Sequence, residues 1–196
     1  MGKTKLLTNF VTQRVEQWSY TLTHPATRVA LAKLRRGLGK KPGTLPDLWE
    51  YTLEGLDDEL LSHTGNPTYE EWAIYLALTL YAYHQQGQTR SMHKFGASFG
   101  DAVRLLATEG SIGKRSEAVT RRMQALVSAD SIESIAIHLR SLVGQLRSHV
   151  IPLDYVLLAK DLYGLQYEDS KDKITLRWGQ DYYKKYAKKM EDENHD

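Results

Sequence analysis

WAIYLALTLYAY, residues 72–83, holds no charged side chain, no glycine and no proline. It is the longest apolar stretch of the chain, yet at twelve residues it falls short of the about 20 needed to cross a bilayer. It reads as a buried helix. Asn66-Pro67-Thr68 marks a turn just before it, and Thr68 with Glu71 three residues later forms a capping box. The helix is expected to run to about Gln86.

Working outward, the same helical period recurs. Leu6, Leu7, Phe10, Val11, Val15, Trp18 and Leu22 are spaced by threes and fours, one apolar stripe on a helix over 4–22. Pro25 opens a second helix with Thr23 or His24 as its cap. Val29, Ala30, Leu31 and Leu34 carry that helix to about Arg36. GLGKKPG (37–43) ends it, with Gly37 or Gly39 taking the left-handed closing conformation and Pro42 blocking continuation. Residues 46–62 read as one or two short helices.

Past the long helix, 87–96 reads as a polar, basic and mobile loop, and 98–108 as a further helix. Residues 109–113 are the best boundary, dividing the chain into 1–110 and 111–196. Four helices follow, at about 114–128, 131–148, 153–165 and 174–189, with Asp130 or Ser131 capping the second. Short connections between helices of similar length favour antiparallel neighbours. The fold class is therefore all-α, an N-terminal helical domain followed by a C-terminal four-helix bundle. Only KITLR (173–177) alternates like a strand.

Composition narrows the function. The 196 residues include no cysteine, which removes disulfides, thiolate metal sites and cysteine nucleophiles. The start, MGKTKLLTNFV, is broken by polar residues and does not read as a signal peptide. The expectation is a soluble, cytoplasmic protein without a membrane partner. Net charge is only +2, but it is unevenly placed. Residues 42–89 hold eight acids and no Lys or Arg, which leaves all 26 basic residues against 16 acids elsewhere. Such asymmetry is the trace of a polarised surface.

Catalytic patterns are missing. The seven histidines show no helical metal-ligand spacing and read as polar surface or loop residues, His84 and His93 among them. Asp57-Asp58-Glu59 reads as a solvated face. Gly37–Gly43 lacks the strand and the glycine spacing of a phosphate loop, and Gly113-Lys114-Arg115 has Arg where a Ser or Thr would hold magnesium. No enzyme, no metal and no cofactor is expected.

The basic residues do form a pattern. Arg28, Lys33, Arg35, Arg36, Lys40 and Lys41 lie within fourteen acid-free residues. Arg28 and Arg35, Lys33 and Lys40, Lys114 and Arg121, Arg115 and Arg122, and Arg140 and Arg147 are each seven apart. Seven residues are two helical turns, so each pair shares one face about 10 Å apart. That spacing suits successive phosphates of an extended strand. Arg140 and Arg147 lie off the apolar stripe of Leu139, Leu142, Val143 and Leu146, and Arg90 and Lys94 add charge on the loop. The aromatics Trp72, Tyr75 and Tyr81 read as core, which favours contacts to the backbone over base stacking. Lys184, Lys185, Lys188 and Lys189 precede acids and read as a solubilising end.

Five segments carry a resemblance: ALAKLRRGLGKKPG (30–43), EEWAIYLALTLYAYHQQ (70–86), FGASFGDAVRLLA (95–107), EAVTRRMQALVSAD (117–130) and IPLDYVLLAKDLY (151–163), closing on LRWGQDYY (176–183). In order and spacing the chain resembles the CasB family over nearly its whole length. That resemblance implies a two-part helical, non-nuclease subunit of the type I-E CRISPR complex Cascade. Two copies would lie beside the guide RNA and target DNA, next to the backbone and large subunits, and stabilise the R-loop and its displaced strand. The family's basic positions fall on Lys33, Arg35, Arg36, Arg90, Lys94, Arg121, Arg122 and Arg140. Arg115, Arg147 and Lys160 join them on physical grounds. The alternatives are a helical scaffold that binds acidic protein partners and a helical DNA-binding regulator.

Overall fold

The computed structural model describes residues 2–109 and 116–184. In chain order its α-helices are α1 (Lys3–Tyr20), α2 (Pro25–Arg36), α3 (Trp49–Thr52), α4 (Tyr69–His84), α5 (Phe99–Thr108), α6 (Glu117–Val127), α7 (Ile132–Ser148), α8 (Tyr155–Gly164) and α9 (Glu168–Tyr183). Two short 3-10 turns, Pro46–Leu48 and Asp58–Leu60, flank α3. The class is all-α.

α4 organises the rest. The expected capping box starts it: Thr68 Oγ1 accepts from the Glu71 amide at 3.0 Å, and the Thr68 amide donates to Glu71 Oε2 at 2.7 Å. Thirteen of its sixteen residues are buried. A helix apolar all round must be surrounded, and α1, α2, α7 and α8 all pack on it. The resulting core is one connected cluster. It runs from Leu7 and Val11 in α1 and Leu34 in α2 to Leu139 and Val143 in α7 and Leu158 in α8.

The C-terminal helices pack in both directions. α7 lies on α6 and on α4, α8 on α4 and α1, and α9 mainly on α5. Gly100 permits the last contact, because a Cβ there would sit 2.5 Å from the Trp178 carbonyl oxygen. Ser98 Oγ donates to Asp181 Oδ2 at 2.7 Å across the same joint. The expected boundary, 110 to 111, falls within 110–115 and so outside the described residues, as do the start of the 114–128 helix and Lys185, Lys188 and Lys189. The described core extends to both sides of it.

Three local expectations are corrected. KITLR is helical and forms the middle of α9. Ile174, Trp178 and Tyr182, four apart, make its buried stripe, so the local alternation is overridden by the longer period. α9 also begins at Glu168, with Glu168 and Asp169 in the first turn where the helix dipole favours acids. Finally, His84 is fully buried and the His93 side chain is only 4% exposed. Both meet Tyr155: its hydroxyl lies 2.9 Å from His84 Nδ1, and its amide donates to His93 Nδ1 at 3.1 Å.

Candidate nucleic-acid interface

α2 turns its apolar side (Ala30, Leu31, Leu34) to the core, and its last turn carries Lys33, Arg35 and Arg36. The close of this helix is fixed on α4. Tyr75 Oη donates to the Gly37 carbonyl at 2.9 Å. A Cβ on Gly37 would lie 2.6 Å from that same hydroxyl and 2.8 Å from Leu48 Cδ1. Burial, with a contribution from Asp47, pushes the Tyr75 hydroxyl up to about 12, so it stays a donor. Gly37 therefore serves close packing; the left-handed conformation belongs to Gly39, at φ +75°.

α7 is capped by Ser131, whose Oγ accepts from the Ser134 amide at 3.1 Å. It buries Ile135, Leu139, Leu142, Val143 and Leu146, which leaves Arg140 exposed and Arg147 half-buried. The Arg147 guanidinium lies 4.4 Å from the centroid of Tyr83 and donates to Gln86 Oε1 at 2.9 Å. Gly144 makes room, because a Cβ there would meet Tyr83 Oη at 2.8 Å. The ring stiffens the arginine without neutralising it.

The loop that follows α2 comes up to α7. Arg35 is half-buried, and its pKa is lowered by burial and by the neighbouring charge of Arg147. Further along, Arg140 Nη1 lies 3.9 Å from where a Gly39 Cβ would be, and Lys40 and Lys41 border the same cleft as Arg140. Arg90 continues the line past the end of α7, donating to the Val150 carbonyl at 2.9 Å. The result is a cationic seam of Lys40, Lys41, Arg140, Arg35, Arg147 and Arg90. Among the described residues, none of the six is in an ion pair.

The loop that carries Arg90 and Lys94 is tied down by hydrogen bonds. The Met92 amide donates to Gln85 Oε1 at 2.9 Å, the Leu153 amide to the Met92 carbonyl at 3.0 Å, and the Lys94 amide to the Leu153 carbonyl at 3.2 Å. The Gly96 amide adds a bond to Asp154 Oδ2 at 2.8 Å. A loop with this much pairing presents its cations from fixed positions.

The other sequence candidates lie apart from the seam. Lys33 sits over the Tyr51 ring at 5.4 Å, in a cleft shared with Arg14, Glu50 and Glu54. Arg36 is paired with Asp47 at 2.8 Å. Arg121 faces solvent beside Glu117 at 3.5 Å, and Arg122 donates to the Ala118 carbonyl at 3.1 Å. Lys160 borders a shallow depression with Lys5. Lys114 and Arg115 lie outside the described residues. Sequence spacing singled out Arg140 and Arg147 as a pair; it carried no sign that Arg35, more than a hundred residues earlier, stands beside them, nor of the Tyr83 ring.

The family model for CRISPR-associated protein Cse2 matches residues 30–183. Among solved structures, CasB from Thermobifida fusca is similar at 33% identity and a TM-score of 0.72, covering 91% of this chain and 98% of that one. A chain of a CRISPR RNA-guided surveillance complex has the same fold at 20% identity and a TM-score of 0.64, covering 90% of this chain and 92% of its own. No curated protein matches.

Proposed function

Given that the chain belongs to the CRISPR-associated protein Cse2 family, we propose that it is a non-catalytic small subunit of a cytoplasmic Cascade-type CRISPR complex that holds nucleic acid by its backbone. Its nucleic-acid partners are the guide RNA–target DNA region and the displaced strand; its protein partners are the other Cascade subunits and a second copy of itself. The shared fold of a surveillance-complex chain supports the assembly.

One observation carries the binding role. Burial and the neighbouring charge of Arg147 together lower the pKa of Arg35, and among the described residues no acid is paired with either arginine. Like charges side by side disfavour the free protein, and a phosphate between them removes that penalty. Arg140, Lys40 and Lys41 extend the same field along α7. Guide pairing exchanges one duplex for another of nearly equal stability. A seam that holds the strand released by that exchange favours the open state by differential binding. Such contacts read charge and spacing, while the guide reads sequence.

The test is binding to single-stranded and duplex DNA of unrelated sequences across a salt series. Wild type should bind regardless of sequence and weaken as salt rises. Arg140→Glu and the pair Arg35→Glu/Arg147→Glu should weaken all sequences alike. Each lost phosphate contact should lower the slope of log K against log salt by about 1. Arg140 is exposed, so its variant keeps the test valid if the half-buried pair unfolds. Binding indifferent to salt and to Arg140→Glu would remove the seam and leave a protein-binding scaffold as the better reading.

A further inference from the structure

The seam borders a cleft that backbone contacts do not use. It opens between the 38–41 loop, one face of α4 and one face of α7, with a volume of about 360 Å³. Its floor is the α4 stripe Trp72, Leu76 and Leu80, four residues apart, and its α7 wall includes Ala136 and Ile137. Lys40, Lys41 and Arg140 stand among these apolar groups. Ile137 is 68% exposed beside it, an apolar side chain left in water off the buried stripe of α7. The indole of Trp72, 8% exposed, makes part of that floor aromatic.

We infer that this cleft takes one unstacked nucleobase of the strand whose phosphates the seam holds. The inference rests on the backbone-binding reading above and adds a pocket to it. A size of a few hundred Å³, apolar walls and a few polar groups are the usual features of a site for a small flat ligand. Three cations at such a pocket ask for anionic groups attached to that ligand. A nucleotide within a strand provides both: a flat base with a π face, and a phosphate on either side of it. The Glu133 carboxylate, also at the cleft, supplies an acceptor for an exocyclic amine and works against an acidic peptide in the same place. The cleft thus makes the grip sensitive to whether a strand is open, because a base inside a duplex is not free to enter.

The experiment compares a short single strand with a strand of equal length whose bases are replaced by abasic tetrahydrofuran units. Binding is followed by anisotropy and by tryptophan fluorescence. The base-bearing strand should bind about ten-fold more tightly, the scale of one aromatic–base stack. The fluorescence change it causes should vanish in Trp72→Phe. Two uncharged variants address the pocket: Ala136→Phe fills it, and Ile137→Ser, at an exposed position, removes its lip without threatening the fold. Both should reduce the base-bearing strand to the affinity of the abasic one and leave the abasic affinity unchanged. Equal binding of the two strands, both weakened by Arg140→Glu, would overturn the base pocket while the backbone reading stands. Failure of both strands to bind at low salt would sink both readings. If Ala136→Phe left DNA binding intact but blocked assembly with other subunits, the cleft would belong to a protein partner and the inference would fall.

Discussion

Single side chains of this fold carry consequences that charge alone does not show. Burial pushes the His84 imidazole down to about 4; the Leu146 carbonyl opposes the shift and the Arg147 charge adds to it. The unfolded chain therefore takes up a proton near pH 6.5 that the folded chain refuses until about pH 4. Stability is full above pH 6.5 and declines as pH falls through that window. From pH 7.5 to 5 the loss assigned to His84 is about 2 kcal/mol. Burial shifts His93 in the same direction, against the pull of Asp154. Urea midpoints at the two pH values should therefore diverge in wild type and lie closer together in His84→Gln, with the His93 contribution left; an unchanged separation would show that the His84 imidazole does not set the slope. Val150 is a second such residue. It is a β-branched side chain at φ 54°, where such residues are strained by about 1–2 kcal/mol, and it closes α7 while its carbonyl receives Arg90. Val150→Gly is expected to hold or raise the thermal midpoint; a clear fall would mean that its packing outweighs the strain. The sequence showed which arginines lie on outward faces, since Arg140 and Arg147 fall off an apolar stripe. It could not show that His84 is enclosed, because α7 and α8, which close over it, begin only at Ile132 and Tyr155.

At the scale of elements, helix ends proved readable wherever a local chemical device sets them. Thr68 with Glu71, Ser131, and Pro25 after His24 each act within one turn, and the starts of α4, α7 and α2 match their reading. α9 was misplaced because a five-residue window alternates, whereas the stripe of Ile174, Trp178 and Tyr182 needs eight or more residues to show itself. Short-range chemistry is written locally; the contacts that fix α2 on α4 are not. Gly37 is the clearest case. Gly37→Ala would drive a methyl group into Tyr75 Oη and Leu48, and crowding of this kind costs about 1–3 kcal/mol. Because it lifts the end of α2, it should also weaken DNA binding although no charge is changed. Gly43→Ala, where nothing lies within 4 Å but φ is +81°, should cost stability with little effect on binding. Comparison of the two by chemical denaturation and anisotropy separates position from strain.

For the whole molecule, α8 seated on α4 and α1, and α7 on α4, join the two halves through one apolar cluster. Thermal unfolding is expected to be a single transition by far-UV circular dichroism and by tryptophan fluorescence, which reports Trp18, Trp49 and Trp72 in one half and Trp178 in the other. Two separate transitions would instead show that 1–110 and 111–196 fold as independent units. The halves were readable as sets of helices, but which set covers which face of α4 depends on contacts far apart along the chain. That same dependence reaches back to the ribosome. α4 ends at His84, and the helix that covers it, α8, is complete only at Gly164, 80 residues later. At about 5–20 residues per second, translation leaves the most apolar helix of the protein without its partner for roughly 4–16 s. During that interval the uncovered face of α4 is apolar surface of the kind that promotes aggregation, and slow codons between 85 and 164 would lengthen its exposure.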